Sequence, residues 1–306
     1  MTIINKTKPT VLIIGSTGQI GRLIVEAFTL MSELQVRVSS RRLEQVETLR
    51  AQGQDVVYLD LDDPRTFAGA LAGVDRLFLL TGYTVAMLVQ SKTLIDAAKK
   101  AGVQHIVHLG IFGEWDCTDP HFAWHQMIER YIEASGIAWT HLHPNYFMEN
   151  LLGIAPLKDG AFSMFCGDRR LGWIALKDVA AVAATVLHEG SAKFGGKDYW
   201  MSTESLNGAE VAAILSEVLK QEIRCDYKQP DDLRELLMSG KIPVEPNYAE
   251  AGVEFMRQVM DGRMGYIGSV RDDVQFVTGK PSTSFKQWAI ENRVKLAAKQ
   301  LSHSNY

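Results

Sequence analysis

Three groups of residues in this chain have the types and spacing that chemistry requires. The first is Gly15-Ser16-Thr17-Gly18-Gln19-Ile20-Gly21, directly after the branched apolar run Val11-Leu12-Ile13-Ile14. Such a run suits a strand covered on both faces. Gly15 permits a tight turn, Gly18 leaves bare backbone for a pyrophosphate to approach, and Gly21 lets a helix lie close on the strand. A helix expected over residues 19–31 would aim its free N–H groups and positive dipole end at that phosphate. A second strand, expected over residues 34–39, completes the context of a dinucleotide site.

The second group is Ser39-Ser40-Arg41-Arg42, about twenty residues past the last motif glycine, where the cofactor's ribose is read. No acid occurs there until Glu44. A carboxylate would accept from a free ribose hydroxyl, whereas Arg41 and Arg42 offer the charged donor forks that a 2′-phosphate needs. NADP(H) is the expected cofactor; the competing reading is a pair of solvated arginines. Asp60, after the third expected strand, reads either as an acceptor for the adenine amine or as a turn residue before Pro64. Leu80-Thr81-Gly82, ending the fourth, would pass beneath the ribose and pyrophosphate.

The third group could act on a substrate. His125 titrates near neutrality when unperturbed, so it could donate a proton or hydrogen bond at working pH; equally, it could be a packed histidine on a helix's inner face. His121 lies one turn earlier, but there is no HExxH pattern and no carboxylate at ligand spacing beyond Glu129, so no metal is expected. His141 and His143 fall on one side of a strand and read as packing or hydrogen-bonded residues. Tyr83, directly after the fourth strand, carries a phenol that could face substrate. Phe112, Trp115, Phe122, Trp124, Tyr146, Phe147 and Trp173 fall near the carboxyl ends of expected strands, a supply that suits a planar apolar ligand, although many of them would fill core.

These residues need a scaffold, and the segment rhythm supplies one. Strands at 55–59, 75–80, 104–109 and 137–142 alternate with helices at 43–52, after Pro64, at 85–101 and at 121–135, with Gly102 and Gly136 as stops. That pattern predicts an α/β fold with a doubly wound parallel Rossmann sheet. After Asn150 the elements shorten. The reading is a dinucleotide-binding domain over residues 1–152, to which 177–202 return, and a smaller mixed α/β substrate domain over 153–306. Asp178 reads as a helix-start acid and Ser282-Thr283-Ser284 as a helix cap.

Composition narrows the partners. The 306 residues carry 32 Lys plus Arg against 36 Asp plus Glu, without a long basic run, so no nucleic-acid or membrane footprint is expected. Cys117, Cys166 and Cys225 are far apart and in no metal spacing, which suits a reducing compartment. Residues 1–10 lack the apolar core of a leader, and the expectation is a cytoplasmic monomer or homodimer.

Five stretches together resemble the NmrA-like branch of the atypical short-chain dehydrogenase/reductases. They are the glycine string, Ala97-Ala98-Lys99-Lys100-Ala101-Gly102-Val103-Gln104-His105-Ile106-Val107, and Glu133-Ala134-Ser135-Gly136-Ile137-Ala138-Trp139-Thr140, with Asn145-Tyr146-Phe147-Met148-Glu149-Asn150-Leu151-Leu152 and Val274-Gln275-Phe276-Val277-Thr278-Gly279-Lys280-Pro281. The resemblance spans almost the whole chain. It implies NADPH-dependent reduction of quinones or triphenylmethane dyes, or else a cofactor-sensing regulator without catalysis. It also implies that Gly15, Thr17, Gly18, Gln19, Ile20, Gly21, Arg41 and the Thr81 region hold the cofactor, while Gly110 and Pro144 to Phe147 flank the nicotinamide. Phe112, Trp115, Trp124, Phe147 and Met148 are the residues expected to face substrate. The wider superfamily's helical tyrosine and lysine have no match: the equivalent place reads His121-Phe122-Ala123-Trp124-His125. Its serine is also missing, because the fifth strand ends His108-Leu109-Gly110. The expected acceptor is therefore one that takes hydride with little acid help: an electron-poor quinone, an iminium or a cationic dye.

Overall fold

The computed structural model describes residues 8–29, 31, 33–239 and 244–301. The leader reading falls mainly on positions 1–7, and the first expected helix includes position 30; both lie outside the described residues. The alternation holds through the first half. Strands β1 (Thr10–Ile13), β2 (Gln35–Ser40), β3 (Asp55–Tyr58), β4 (Arg76–Leu79), β5 (His105–Leu109) and β6 (Ala138–Pro144) are separated by helices α1 (Gln19–Phe28), α2 (Leu43–Ala51), α3 (Phe67–Leu71), α4 (Met87–Ala101) and α5 (Pro120–Ser135). Then come β7 (Tyr146–Phe147), β8 (Ala161–Met164), β9 (Leu171–Ile174), α6 (Leu176–Glu189), α7 (Ser191–Phe194), β10 (Lys197–Ser202), β11 (Glu204–Leu206), α8 (Gly208–Leu219) and β12 (Arg224–Tyr227). The chain continues through α9 (Pro230–Met238), α10 (Pro246–Asp261), β13 (Arg271–Asp272), α11 (Asp273–Thr278), α12 (Phe285–Glu291) and α13 (Arg293–Leu301).

The main sheet has the order β3-β2-β1-β4-β5-β6-β10-β13, and only the last pair is antiparallel. Reversal of strand order beside β1 creates the crevice at the carboxyl ends of β1 and β4 where ligands bind in such sheets. All four residues of β1 are buried, as expected for a strand covered on both faces. Helices α1 and α6 pack over one face, and α3, α4 and α5 cover the other. A further core, from Phe112 and Phe122 through Trp173 to Trp288, fills the C-terminal part, where β11-β9-β7 and β12-β8 form two small sheets.

Residues 177–202 do supply α6 and β10 to the main sheet layers. So does the segment 271–278, which the sequence reading placed in the smaller domain, through β13 and the buried Val274 and Val277 of α11. Ser284 caps α12 as expected. Asp178 is the acid in the first turn of α6, as expected, and has a second task. Ala175 is the N-cap, and Asp178 also accepts hydrogen bonds from the backbone N–H and Oγ1 of Thr283 at 2.7 and 2.9 Å, tying the C-terminal segment to the sheet.

A Cβ at Gly21 would fall on the carbonyl oxygen of Gly15 and the Cα of Ser16, both backbone atoms with no freedom to yield. Gly21→Ala is therefore expected to destabilise the protein by about 1–3 kcal/mol, read as a lower urea midpoint at unchanged slope.

Candidate functional site

The cradle forms at the switch point. Gly15 adopts φ +68°, and a Leu80 methyl occupies the place its Cβ would need, so the turn after β1 presses on the end of β4. Gly18 is the N-cap of α1; no side chain caps this helix end and no acid stands in its first turn. Its positive end therefore faces the crevice uncompensated. Ser16 Oγ donates to the Ser39 carbonyl at 2.8 Å, Ser39 Oγ donates to the Ile13 carbonyl at 3.0 Å, and Ser40 Oγ donates to Gln45 at 2.7 Å. With both serines engaged, Arg41 and Arg42 are left exposed, and neither side chain has a hydrogen bond or ion pair among the described residues. Asp60 accepts from the Asp62 N–H at 3.1 Å, the turn role. An open anion site at a helix end, with two unpaired guanidiniums and no carboxylate at the close of β2, fits a dinucleotide bearing a 2′-phosphate. Thr17 and Gln19 flank Gly18 in the same turn, and Thr81 and Gly82 directly follow Leu80, whereas the Ile20 side chain is buried in the core shared with α6.

An aromatic wall follows. Tyr248 of α10 brings together Tyr83 (ring centroids 5.6 Å apart), Trp124 (6.0 Å) and His121 (4.7 Å), and its hydroxyl is hydrogen-bonded to His121 Nε2. Glu245 fixes this wall: its carboxylate accepts from the Val85 N–H at 2.9 Å, and its own N–H donates to the Tyr83 carbonyl at 3.0 Å. Tyr83 is half-exposed there.

His125 is buried one layer behind His121, with ring centroids 5.3 Å apart and no partner on Nδ1. It is thus neither a satisfied core histidine nor a group open to ligand. Residues 121, 125, 129 and 133 share one stripe of α5 by their four-residue spacing, and this stripe lies over His108 of β5 and His141 and His143 of β6. Glu129 Oε1 is 3.9 Å from His108 Nδ1 and 3.6 Å from His143 Nδ1, and Glu133 Oε1 is 3.6 Å from His141 Nε2. His143 meets the Ile111 carbonyl through Nδ1 and Asp198 through Nε2, each at 2.9 Å. Trp139 stacks on His141 at 4.4 Å and Trp200 on His143 at 4.2 Å. His141 and His143 are packed as expected, but in a charged setting.

The remaining expected residues divide. Gly110 closes β5 and is where the carboxylate of Glu129 rests: a Cβ there would come within 2.5 Å of Oε1. Pro144 ends β6 and accepts from the Phe112 N–H at 3.1 Å. Tyr146 stands edge-on to Trp173 at 5.0 Å. Phe112 packs edge-on against Trp200 at 5.2 Å, and Met148 is fully buried; both belong to the C-terminal core and do not join the aromatic wall. Phe147 packs against the core under α6. Trp115, 81 % exposed, lines a shallow depression with Met127 and Tyr131 on the outer face of α5. That helix separates it from the crevice.

The NmrA-like family model matches residues 7–304. The chain belongs to that family. It is 31 % identical to an NAD(P)H azoreductase of Xenophilus azovorans over 91 % of this chain and 96 % of that one. It is 33 % identical to a (4-alkanoyl-5-oxo-2,5-dihydrofuran-3-yl)methyl phosphate reductase of Streptomyces griseus, over 92 % and 97 %. In fold it matches the triphenylmethane reductase of Citrobacter sp. complexed with NADP(H), with a TM-score of 0.76, 24 % identity, and coverage of 94 % of this chain and 99 % of that one.

Sequence reading missed His108, Asp198 and Tyr248 as members of the site, and noted Glu129 only as a lone carboxylate. The four-residue spacing of His121, His125, Glu129 and Glu133 was a readable signal; the strand residues facing it were not.

Burial sets the protonation states. Desolvation pushes His105 and His121 down to about 4 and His141 to about 3, and holds His108 and His125 well below the usual range. Burial raises Glu129 and Asp119 to about 7. At His143 burial acts downward, but the Asp198 hydrogen bond and the Glu129 charge outweigh it and leave the group raised. A histidine with a depressed folded pKa supports the fold above its unfolded value and loses that support as pH falls. The carboxyls raised to about 7 act oppositely over this range, since they bind protons more readily when folded, and so does His143. Five lowered histidines outnumber these three groups, so the melting temperature should fall between pH 7 and pH 5. The slope expected is about 1.4 kcal/mol per pH unit for each histidine left uncompensated. Thermal melts at three pH values check this; a flat profile would contradict it.

Proposed function

We propose that the protein transfers hydride from NADPH to a planar, electron-poor or cationic aromatic acceptor of quinone, dye or iminium type, without a tyrosine–lysine relay. That it is an NAD(P)H-dependent oxidoreductase agrees with the reductases aligned to it over nine-tenths of the chain. The observation that carries the acceptor class is the wall of Tyr83, Tyr248, Trp124 and His121, set beside the cradle and pinned by Glu245. Flat aromatic rings bind flat ligands by stacking and exclude water around them. The azoreductase relative takes a conjugated acceptor by its name, which supports the same class.

When bound, the cofactor supplies the hydride; the chain's residues supply position. The bare end of α1 and the Gly18 backbone hold the pyrophosphate, Arg41 and Arg42 hold the 2′-phosphate, and Tyr83 and Tyr248 hold the acceptor flat. Positioning of this kind supplies a large share of a barrier reduction where the acceptor is already electron-poor.

NADPH consumption followed at 340 nm against a panel of quinones, azo dyes, triphenylmethane dyes and cyclic iminium compounds tests the reading. At least one acceptor should be consumed, and a simple ketone should not. Arg41→Ala should raise KM for NADPH about ten- to a hundredfold with little change for NADH. Tyr248→Ala should raise KM for the acceptor and leave NADPH binding unchanged. Tight NADPH binding with no acceptor consumed would instead favour a non-catalytic sensor acting through a protein partner.

A further inference from the structure

We propose that the file of histidines and carboxylates beneath α5 is a proton path, running from solvent at Asp198 and Glu133 to His121 and Tyr248 in the crevice. The inference rests on the reductase reading and extends it to the proton that must accompany hydride.

The path has two ends and a continuous interior. At the outer end Asp198 is 45 % exposed and holds His143, whose Nδ1, resting on the Ile111 carbonyl at 2.9 Å, lies 3.6 Å from Glu129, so that Nδ1–H needs only to exchange one acceptor for the other. Glu129 reaches His108 at 3.9 Å. From there the rings step at 5.6 Å to His125 and 5.3 Å to His121, close enough for a ring turn or one bridging water to complete each contact. His121 is hydrogen-bonded to the Tyr248 hydroxyl, which stands beside Tyr83 in the crevice. A branch runs from His108 to His141, 5.5 Å away, and on to Glu133, 27 % exposed. The groups facing the file are thus His121, His125, Glu129, Arg130 and Glu133 from α5, His108 from β5, His141 and His143 from β6, Asp198 from β10 and Tyr248 from α10.

A structural core has no use for this arrangement. His108 and His141 lack a hydrogen-bond partner on both ring nitrogens and His125 on Nδ1, each a buried group costing about 1–3 kcal/mol when left unpaired. Apolar residues would fill the same space more stably. Metal binding does not explain the cluster, because no group of His, Cys, Asp or Glu among the described residues is placed to hold an ion. Neutral imidazole, by contrast, carries a donor on one nitrogen and an acceptor on the other, as a relay requires. Desolvation keeps His108 and His125 neutral, while Glu129, raised to about 7, can load and unload at neutral pH.

The balance is simple. A quinone takes two electrons as hydride and becomes a hydroquinone monoanion; it then needs one proton. Tyr248 gives that proton, His121 replaces it, and each group behind is refilled in turn from water at Asp198. The sum is quinone, NADPH and one proton giving hydroquinone and NADP+. A cationic triphenylmethane dye differs: hydride neutralises it, and no proton is consumed.

The two acceptors make the test. Turnover of a benzoquinone and of a cationic triphenylmethane dye is measured in the wild type, Glu129→Gln, His108→Phe, Asp198→Asn and Asp198→Glu, across pH and in heavy water. Quinone turnover at pH 7 should fall about tenfold or more in Glu129→Gln and His108→Phe, with a larger solvent isotope effect. Dye turnover should stay within about twofold of the wild type, as a step without proton transfer requires. Asp198→Asn, at the exposed mouth, should lower quinone turnover most above pH 7, and Asp198→Glu should restore it. Infrared titration of the resting protein should show a carboxylic-acid band that titrates near pH 7 and is lost in Glu129→Gln. Equal slowing of both acceptors, or no change in either, overturns the path. A wild type that consumes NADPH with none of the quinones, dyes and iminium compounds of the panel overturns the functional reading itself.

Discussion

The fold depends first on the contact between α1 and the turn it springs from. The helix lies so close on the turn after β1 that Gly21 touches the carbonyl of Gly15, and Gly15 in turn meets Leu80, the residue after β4. This one approach sets the depth of the crevice, because it decides where the bare end of α1 stands relative to the carboxyl ends of β1 and β4. It also explains why the cradle needs so few side chains. A helix end and exposed backbone bind an anion without them, and the exposed guanidiniums of Arg41 and Arg42 follow the close of β2.

A second constraint acts on the far side of the sheet. Helix α5 covers β5 and β6 with Ile128 and Ile132 on part of its inner face, yet the adjacent stripe is ionisable from end to end. The sheet answers with His108, His141 and His143 in place of branched apolar residues, and the flanking Trp139 and Trp200 rings hold two of those imidazoles flat. Stability is surrendered to keep polar groups in a dry layer, a pattern found where function sets the residue types. Gly110 belongs to the same arrangement, since only a residue without a side chain leaves the Glu129 carboxylate its place at the end of β5.

The C-terminal part completes the crevice from outside the sheet. Tyr248 and Glu245 lie about a hundred residues beyond β6, yet Tyr248 faces Tyr83 and Glu245 is bonded to the backbone of the loop after β4. Further ties run the same way: Asp178 to Thr283, Glu149 to Trp288 at 3.0 Å, and the antiparallel strand β13 on the edge of β10. The aromatic wall is therefore shared between the sheet and the part packed on it.

The sequence by itself determined the doubly wound sheet, its family and the glycine turn at the switch point, because each is written in local order. Apolar runs of strand length, glycines at turn spacing and Arg41-Arg42 after β2 act on their immediate neighbours, and regular crossovers leave little choice of topology. It also put His121 and His125 on one face of a helix, since residues four apart are neighbours on a helix of 3.6 residues per turn. Only the tertiary structure decided which aromatics meet. Trp124 joins the wall while Trp115, nine positions earlier, lies on the opposite face of α5, and Phe112 and Met148 sink into the C-terminal core. It alone brought His108, His143 and Asp198, from three different strands, to Glu129, and Tyr248 to His121. Burial and the pairing of distant strands set those contacts, and neither is encoded in the spacing of one segment.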